Sequence, residues 1–272
     1  MPFGRRLIAG KRFIVTGASS GVGRAVAVEL VRRGGRVLAT ARRSERLEQV
    51  AATAGAPLAH LAGDICDPAF RRQLVADATA RLGGIDGVVA AAGGGAIGRF
   101  RDLSPATFAR IIDLDLTAPA ELVRDALPTL LAGADPVIVF VGSILGLHPL
   151  PLHGEYCAAK AALRSLAGTL RVELAPDGVG VLLVDLGPTQ SEFWESLLAG
   201  GRPPWSRGRR MPAERAARAI ATAIERRRRE IAPGWQARGY AWAARFFPRL
   251  IDRAASRHLR TAARRATSVT AP

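Results

Sequence analysis

Seven short apolar runs recur along this chain, joined through six stretches of helical character. The runs cover Arg12–Thr16, Arg36–Thr40, Pro57–Ala62, Gly87–Ala92, Pro136–Val141 and Val179–Leu186, with a last edge run at Glu230–Pro233 that proline ends. Within them apolar residues are nearly continuous rather than alternating. A strand of that kind must be covered on both faces, as happens in a parallel sheet between two layers of helices. The intervening helices are expected at Arg24–Arg33, Ser44–Thr53, Pro68–Arg81, Ser104–Leu131 and His153–Leu174, with another starting at Met211-Pro212-Ala213-Glu214 and running on through Arg215–Arg229. Pro68 and the Ser104-Pro105 pair are helix-start signals. With 272 residues, 49% of them hydrophobic, the chain fills one α/β domain without needing a second.

The first strand runs into Thr16-Gly17-Ala18-Ser19-Ser20-Gly21-Val22-Gly23. Glycines permit a tight turn and let the backbone approach a pyrophosphate. The helix that follows offers N–H donors and the positive end of a dipole. The spacing alone is a weak signal, but behind the first strand of a βαβ unit it points to a dinucleotide. The second strand ends at Thr40-Ala41-Arg42-Arg43. A site for NAD carries an acid near this place to hold the ribose hydroxyls. Here Ala41 stands there, and two guanidinium groups suited to phosphate follow. The expectation is NADP(H), with Arg42 the main 2′-phosphate ligand and Arg43 beside it. The alternative is a pair of surface arginines in an arginine-rich chain. Asp64, with Ile65 after it, is expected at the adenine edge or else as a turn or helix-capping residue.

Among 39 basic residues only Lys11 and Lys160 are lysines, and Tyr156 and Tyr240 are the only tyrosines. One of each falls in Tyr156-Cys157-Ala158-Ala159-Lys160, a coincidence expected on the order of one or two times in a hundred from composition. At i and i+4 a phenol and an ammonium share one helical face. A cation beside a phenol lowers its pKa toward usefulness as a proton carrier near neutral pH. That is the core of a carbonyl/alcohol redox site.

On these residues the chain resembles the short-chain dehydrogenase/reductase family, from about Arg12 to Phe193 and weakly on to Pro233. The resemblance rests on Thr16–Gly23, on Tyr156 and Lys160 with Ser143 thirteen residues before the tyrosine, and on Leu186-Gly187-Pro188-Thr189-Gln190-Ser191, which looks like the family's nicotinamide loop. It implies a Rossmann-like, doubly wound parallel sheet in the order 3-2-1-4-5-6-7, and roles for the residues. Tyr156 is then the acid in reduction and the base in oxidation, Lys160 holds the nicotinamide ribose and lowers the Tyr156 pKa, and Ser143 binds the substrate oxygen. Gly17, Ser19, Ser20, Gly21, Val22, Gly23, Ala91, Gly93, Gly187, Thr189 and Ser191 contact the cofactor. Ser143 by itself reads as a strand-end turn serine.

Three departures stand out. The family's Asn-Asn-Ala-Gly is Ala90-Ala91-Ala92-Gly93, its catalytic asparagine falls at Asp115, and its loop Pro-Gly is Leu186-Gly187 with the proline at Pro188. Altered packing, a changed charge beside Lys160 and altered loop geometry are expected from them. The resemblance also implies a homodimer or homotetramer packed through Gly154–Ala175 and Ser104–Leu131.

The formal charge is +16, and most of it lies from Arg202 to Pro272, where 18 arginines meet four acids. Residues 1–233 are read as the dinucleotide-binding and catalytic domain and 234–272 as a basic C-terminal extension. In it Arg245, Arg249, Arg253, Arg257, Arg260 and Arg264 recur at helical spacing among Trp235, Tyr240, Trp242, Phe246 and Phe247, with Pro248 breaking the helix. The extension suits an anionic membrane surface, a lid over the substrate pocket, or a solvated closing helix. No recognised motif supports nucleic-acid binding. Cys66 and Cys157 make neither a disulfide framework nor a metal-ligand spacing. With no long apolar run, and only eleven residues before the first strand, the expected setting is cytoplasmic, with peripheral contact at the inner membrane face. The expected reaction interconverts a ketone or aldehyde with an alcohol on an apolar, lipid-like substrate, since Ile144–Leu152 and Phe193–Leu198 are rich in leucine and aromatics. The alternatives are reduction of 3-oxoacyl groups on an acidic carrier, and a catalytically weak dinucleotide-binding protein whose tail docks on a membrane.

Overall fold

The computed structural model describes residues 6–55, 58–195, 197–202 and 208–269, with side chains to residue 260; the expected strand start at Pro57 and the Arg264 side chain lie outside the described residues. The strands are β1 (Arg12–Thr16), β2 (Arg36–Ala41), β3 (Leu58–Ala62), β4 (Gly87–Ala90), β5 (Val137–Ser143), β6 (Gly180–Leu186) and β7 (Glu230–Ile231). They form one parallel sheet in the order β3-β2-β1-β4-β5-β6-β7, as expected. Neighbouring residues on a strand point to opposite faces, and here both faces are buried. Val15 joins a core with Val26, Leu30, Leu47 and Ile220. Ile14, one residue away, joins the other core with Leu74, Leu122 and Leu163.

The helices around the sheet are α1 (Gly21–Arg32), α2 (Ser44–Ala54), α3 (Pro68–Leu82), α4 (Pro105–Ile112), α5 (Ala118–Leu131), α6 (Gly154–Glu173) and α7 (Ala213–Glu225). Asp67 caps α3 by accepting from the Ala69 N–H, and Ser104 caps α4 by accepting from the Thr107 N–H. Where one long helix was expected over Ser104–Leu131, a π-helical turn at Asp113–Thr117 separates α4 from α5. Pro119 supplies the reason. It has no N–H to close an α-helical bond onto the Asp115 carbonyl, and Ala118 instead donates to Asp113, five residues back. Beyond β7, Gly234 at φ +86° turns the chain into α8 (Trp235–Phe246), and Pro248 opens α9 (Pro248–Val269) rather than kinking one continuous helix.

Parallel strands place all their C-terminal ends on one edge. The chain winds outward through β2 and β3, then returns to β4 on the other side of β1, so the loops after β1 and β4 diverge and leave a crevice. Thr16 spans it: its buried hydroxyl oxygen accepts from the N–H groups of Ala91 at 3.0 Å and Ala92 at 2.9 Å. Two alanines stand where the family has bracing asparagines, and this threonine braces the turn.

At the opposite edge, buried Asp86 accepts from the Arg12 backbone N–H at 3.0 Å, from Arg12 Nε at 2.7 Å and Nη2 at 2.9 Å, and from the Ala134 N–H at 3.1 Å. Burial pushes the Asp86 pKa up, but the guanidinium and the N–H donors outweigh it and hold the carboxyl below its ordinary value. Replacing Asp86 with alanine strips β1, β4 and the loop before β5 of their shared acceptor, and is expected to cost about 2–3 kcal/mol in urea unfolding at neutral pH. A folded-state pKa below the unfolded one gives stability that is complete above the ordinary carboxylate range and lost as pH falls through the depressed value. The wild-type and Asp86→Ala stabilities therefore converge in acid.

Candidate active site

A cavity of about 590 Å³ opens at the C-terminal edge of the sheet, and every site residue named from the sequence lines it. At one end lies the turn between β1 and α1. Gly17 has φ +67°, and a Cβ there would come within 2.8 Å of the Ala91 carbonyl oxygen. A Cβ on Gly23 would meet the Gly17 carbonyl oxygen at 2.3 Å, so the backbone closes on itself only with glycine. Ser20 precedes α1 in an extended conformation without a side-chain cap, and the first turn holds no acid. The N–H groups there are left for an anion, and the turn fits a diphosphate.

Beside this turn, past the end of β2, Arg42 is exposed at the cavity wall. Arg43 donates to Ser19 Oγ at 3.2 Å and to the Glu192 carboxylate at 3.0 Å, and Arg46 donates to the same carboxylate. Asp64 accepts from the Cys66 N–H at 3.0 Å and pairs with Arg110 at 2.7 Å. Burial works to raise the Asp64 pKa, but these partners hold it below the ordinary value. Ile65 and Gly93 complete this stretch of the lining.

At the other end, Tyr156 and Lys160 stand one turn apart on α6, Ser143 ends β5, and Asp115 projects from the π-helical turn. Ser143 Oγ accepts from the Leu145 N–H at 3.1 Å, which leaves its own hydroxyl hydrogen to give. Lys160 Nζ donates to the Val141 carbonyl at 3.1 Å and pairs with Asp115 Oδ1 at 2.9 Å. The other Asp115 oxygen accepts from the Gly94 N–H at 3.1 Å. The Asp115 side chain has no exposed surface, and Lys160 is buried around it. The ammonium lies 5.7 Å from the centroid of the Tyr156 ring.

These charges decide the state of the phenol. Burial pushes the Tyr156 pKa up, Lys160 pulls it down, Asp115 pushes it up again, and the Ser143 hydroxyl pulls it down; the net direction is upward. The sequence reading had Lys160 lowering it. The ammonium does act in that direction, but burial outweighs it and the carboxylate cancels part of its field. Burial also works against the charged forms of Lys160 and Asp115. For Lys160 its partners prevail and its pKa is raised; for Asp115 burial prevails over Lys160 and the Gly94 N–H. A phenol kept protonated, beside a hydroxyl with a hydrogen to donate, is a proton donor for an oxygen placed between them.

The nicotinamide-type loop leaves β6 through Gly187. The Thr189 hydroxyl donates to the Gly187 carbonyl at 2.9 Å, and the loop is tied to Met211 through Met211 N–H to Pro188 at 2.9 Å and Gln190 N–H to Met211 at 2.8 Å. Ser191 caps the short helix Glu192–Trp194, which brings Phe193 against the Tyr156 ring at 5.5 Å. The ionisable lining residues not singled out from the sequence are His153, Glu192 and Arg210. His153, one turn before Tyr156 on the same side of α6, was within reach of helical spacing. It donates from Nδ1 to the Pro151 carbonyl at 2.9 Å, and burial lowers its pKa. Glu192 and Arg210 meet the cavity through loop paths that no local pattern encodes.

The model of the family described as short chain dehydrogenase matches residues 11–200. An uncharacterized oxidoreductase of Myxococcus xanthus is 36% identical over 188 residues, spanning 66% of this chain and 72% of its own length. A solved short-chain dehydrogenase from Streptomyces avermitilis superposes with a TM-score of 0.78 at 27% identity, over 96% of this chain and 98% of its own. A short chain dehydrogenase/reductase from Burkholderia phymatum, solved in complex with NAD, shares the fold with a TM-score of 0.80 at 24% identity, over 87% and 93% of the two chains.

With two tyrosines in the chain, Tyr240→Phe leaves Tyr156 as the only phenol to titrate. In that background Asp115→Asn removes the negative charge and keeps the shape. The Tyr156 ionisation, followed by the ultraviolet absorbance of tyrosinate, is expected to move to lower pH. An unmoved or rising ionisation would contradict the electrostatic role given to Asp115.

Proposed function

The chain belongs to the short-chain dehydrogenase family, oxidoreductases that transfer hydride with a nicotinamide dinucleotide, and from that premise we propose that it is an NADP(H)-dependent reductase of ketones or aldehydes with an apolar substrate. One observation carries this reading: Ser143, Tyr156 and Lys160 meet at one end of a cavity whose other end is the glycine turn at the N-terminus of α1. When bound, the reduced nicotinamide supplies the hydride. Ser143 and Tyr156 hold the substrate oxygen between two hydroxyl donors. Tyr156 gives its proton to that oxygen as negative charge builds there, and Lys160 stabilises the tyrosinate left behind. Asp115 keeps Lys160 in place and charged within a buried corner. Burial and the Asp115 charge hold the Tyr156 pKa above its ordinary value, so the phenol stays protonated until charge builds on the substrate oxygen.

Ala41 and the two arginines after it support NADP(H) over NAD(H), with Arg42 free to meet a 2′-phosphate and Arg43 and Arg46 held by Glu192 until the phosphate competes for them. Gly187, Thr189 and Ser191 then hold the nicotinamide end. Ile144, Leu145, Leu150, Phe193 and Trp194 around the catalytic corner suit an apolar carbonyl compound. Exposed Phe108, Leu131 and Val172 on α4, α5 and α6 support assembly of identical chains through those helices. Residues 1–233 carry this chemistry, and the basic extension 234–272 gives a cytoplasmic enzyme its contact with an anionic membrane surface.

Fluorescence titration is expected to give tighter binding of NADPH than NADH. Arg42→Ala should weaken NADPH about tenfold to a hundredfold and leave NADH unchanged. Glu192→Gln, which frees two guanidinium groups, should tighten NADPH by about threefold to fivefold alone. Equal binding of both cofactors by the wild type would overturn the NADP(H) assignment. In a screen of apolar ketones and aldehydes with NADPH, Tyr156→Phe should lower kcat about a hundredfold to ten-thousandfold with cofactor affinity kept. Turnover that survives the change would remove Tyr156 from the chemistry.

A further inference from the structure

Helix α8 has two unlike faces. Inward, Ala237 is buried against Gly187 of the nicotinamide loop, and Tyr240 lines the cavity with its hydroxyl donating to the His148 carbonyl at 2.8 Å. Outward, Trp235 is 72% exposed, Trp242 59% and Phe246 57%, with Arg238 and Arg245 exposed between them. These positions recur at three- and four-residue steps and share one stripe of the helix. Past the elbow at Phe247 and Pro248, the stripe continues on α9 with exposed Arg249, Leu250 and Arg253. The Trp242 ring packs against Phe246 and Phe247, with centroids 5.6 Å and 5.2 Å apart, and the Arg245 guanidinium lies over the Phe246 ring at 5.9 Å.

Large rings left in water forgo the stabilisation that burial would give them, and here they cluster rather than scatter. Their charged neighbours are nearly all of one sign. From Trp235 to Arg260 six arginines meet a single acid, Asp252, and its carboxylate lies 2.9 Å from His148. Rings settle at the boundary between headgroups and acyl chains, while guanidinium groups pair with lipid phosphates. Phosphate on a nucleic acid would satisfy the arginines but gives no burial to a ring cluster on a convex helix, so a lipid surface satisfies both halves of the stripe at once.

We propose that the outward face of α8, with the start of α9, is a docking surface for an anionic bilayer leaflet, and that docking holds the wall of the substrate cavity against the membrane from which an apolar substrate comes. Among the described residues no helix is long and apolar enough to cross a membrane, so the contact is one of surface. The proposal rests on the reductase reading only for the identity of the cargo.

The test is co-sedimentation of the full chain with vesicles of phosphatidylcholine, alone or mixed with phosphatidylglycerol. Binding is expected only to the mixed vesicles and to weaken as salt rises. The pair Trp242→Ala/Phe246→Ala should lose binding about tenfold. The pair Arg245→Glu/Arg249→Glu should lose it roughly thirtyfold or more. NADPH titration of each variant reports whether the dinucleotide site is folded, and the exposed arginine pair keeps the test intact should the aromatic pair misfold. Wild type that ignores both vesicles, or variants that bind as the wild type does, would overturn the proposal. So would an aromatic pair that turns a dimer into a monomer in light scattering with vesicle binding unchanged, since a second copy then covers this face. A chain that binds vesicles but no NADPH would leave docking intact and remove the reductase; the reverse result would do the opposite.

Discussion

An ammonium group cut off from water needs a counter-charge, and the corner of the cavity that holds Ser143 and Tyr156 is organised around supplying one to Lys160. Its partner Asp115 comes from a different element, the π-helical turn at Asp113–Thr117, and the two meet at 2.9 Å. Gly94 closes the arrangement by donating to the second carboxylate oxygen, and a Cβ on Gly93 would lie 2.7 Å from the first. The segment after β4, the interrupted α4–α5 helix, the end of β5 and α6 are thus tied through one buried pair. Breaking such a pair from one side leaves a charge with nowhere to go, which costs far more than the pair contributes as a whole.

Much of this was legible in the sequence, for particular reasons. Nearly continuous apolar strands such as Gly87–Ala90 and Val137–Val141 announced a sheet covered on both sides, while the seven-strand order came from the family resemblance. Asp67-Pro68 and Ser104-Pro105 carry their start signals in the residues themselves, and both caps formed. The break inside Ser104–Leu131 was not read, although its cause, Pro119, is local: periodicity does not register a missing N–H. The sign of the Tyr156 shift was also missed, because burial and the Asp115 field belong to the assembled corner and not to a pair at i and i+4. Glu192 and Arg210 reach the cavity through loops, where sequence distance says little about neighbours.

The loop from Gly187 to Trp194 connects the two ends of the cavity. Its Glu192 reaches the arginines after β2, its Phe193 rests on the Tyr156 ring, and its base packs under α8 at Ala237. The arginines after β2, the corner with Tyr156 and the C-terminal extension are therefore joined through a short segment.

The hydroxyl of Thr16 has a bearing on how freely this protein can change. It fixes the distance between the β1 and β4 turns with two hydrogen bonds, and both are anchored in backbone N–H groups. The opening of the crevice is thereby measured by bond lengths rather than by how much volume the core side chains occupy. Residues on either side of the sheet can drift in size over generations, shifting helices against it, while the gap stays constant. Such a scaffold separates the dimensions of its binding cleft from the history of its interior.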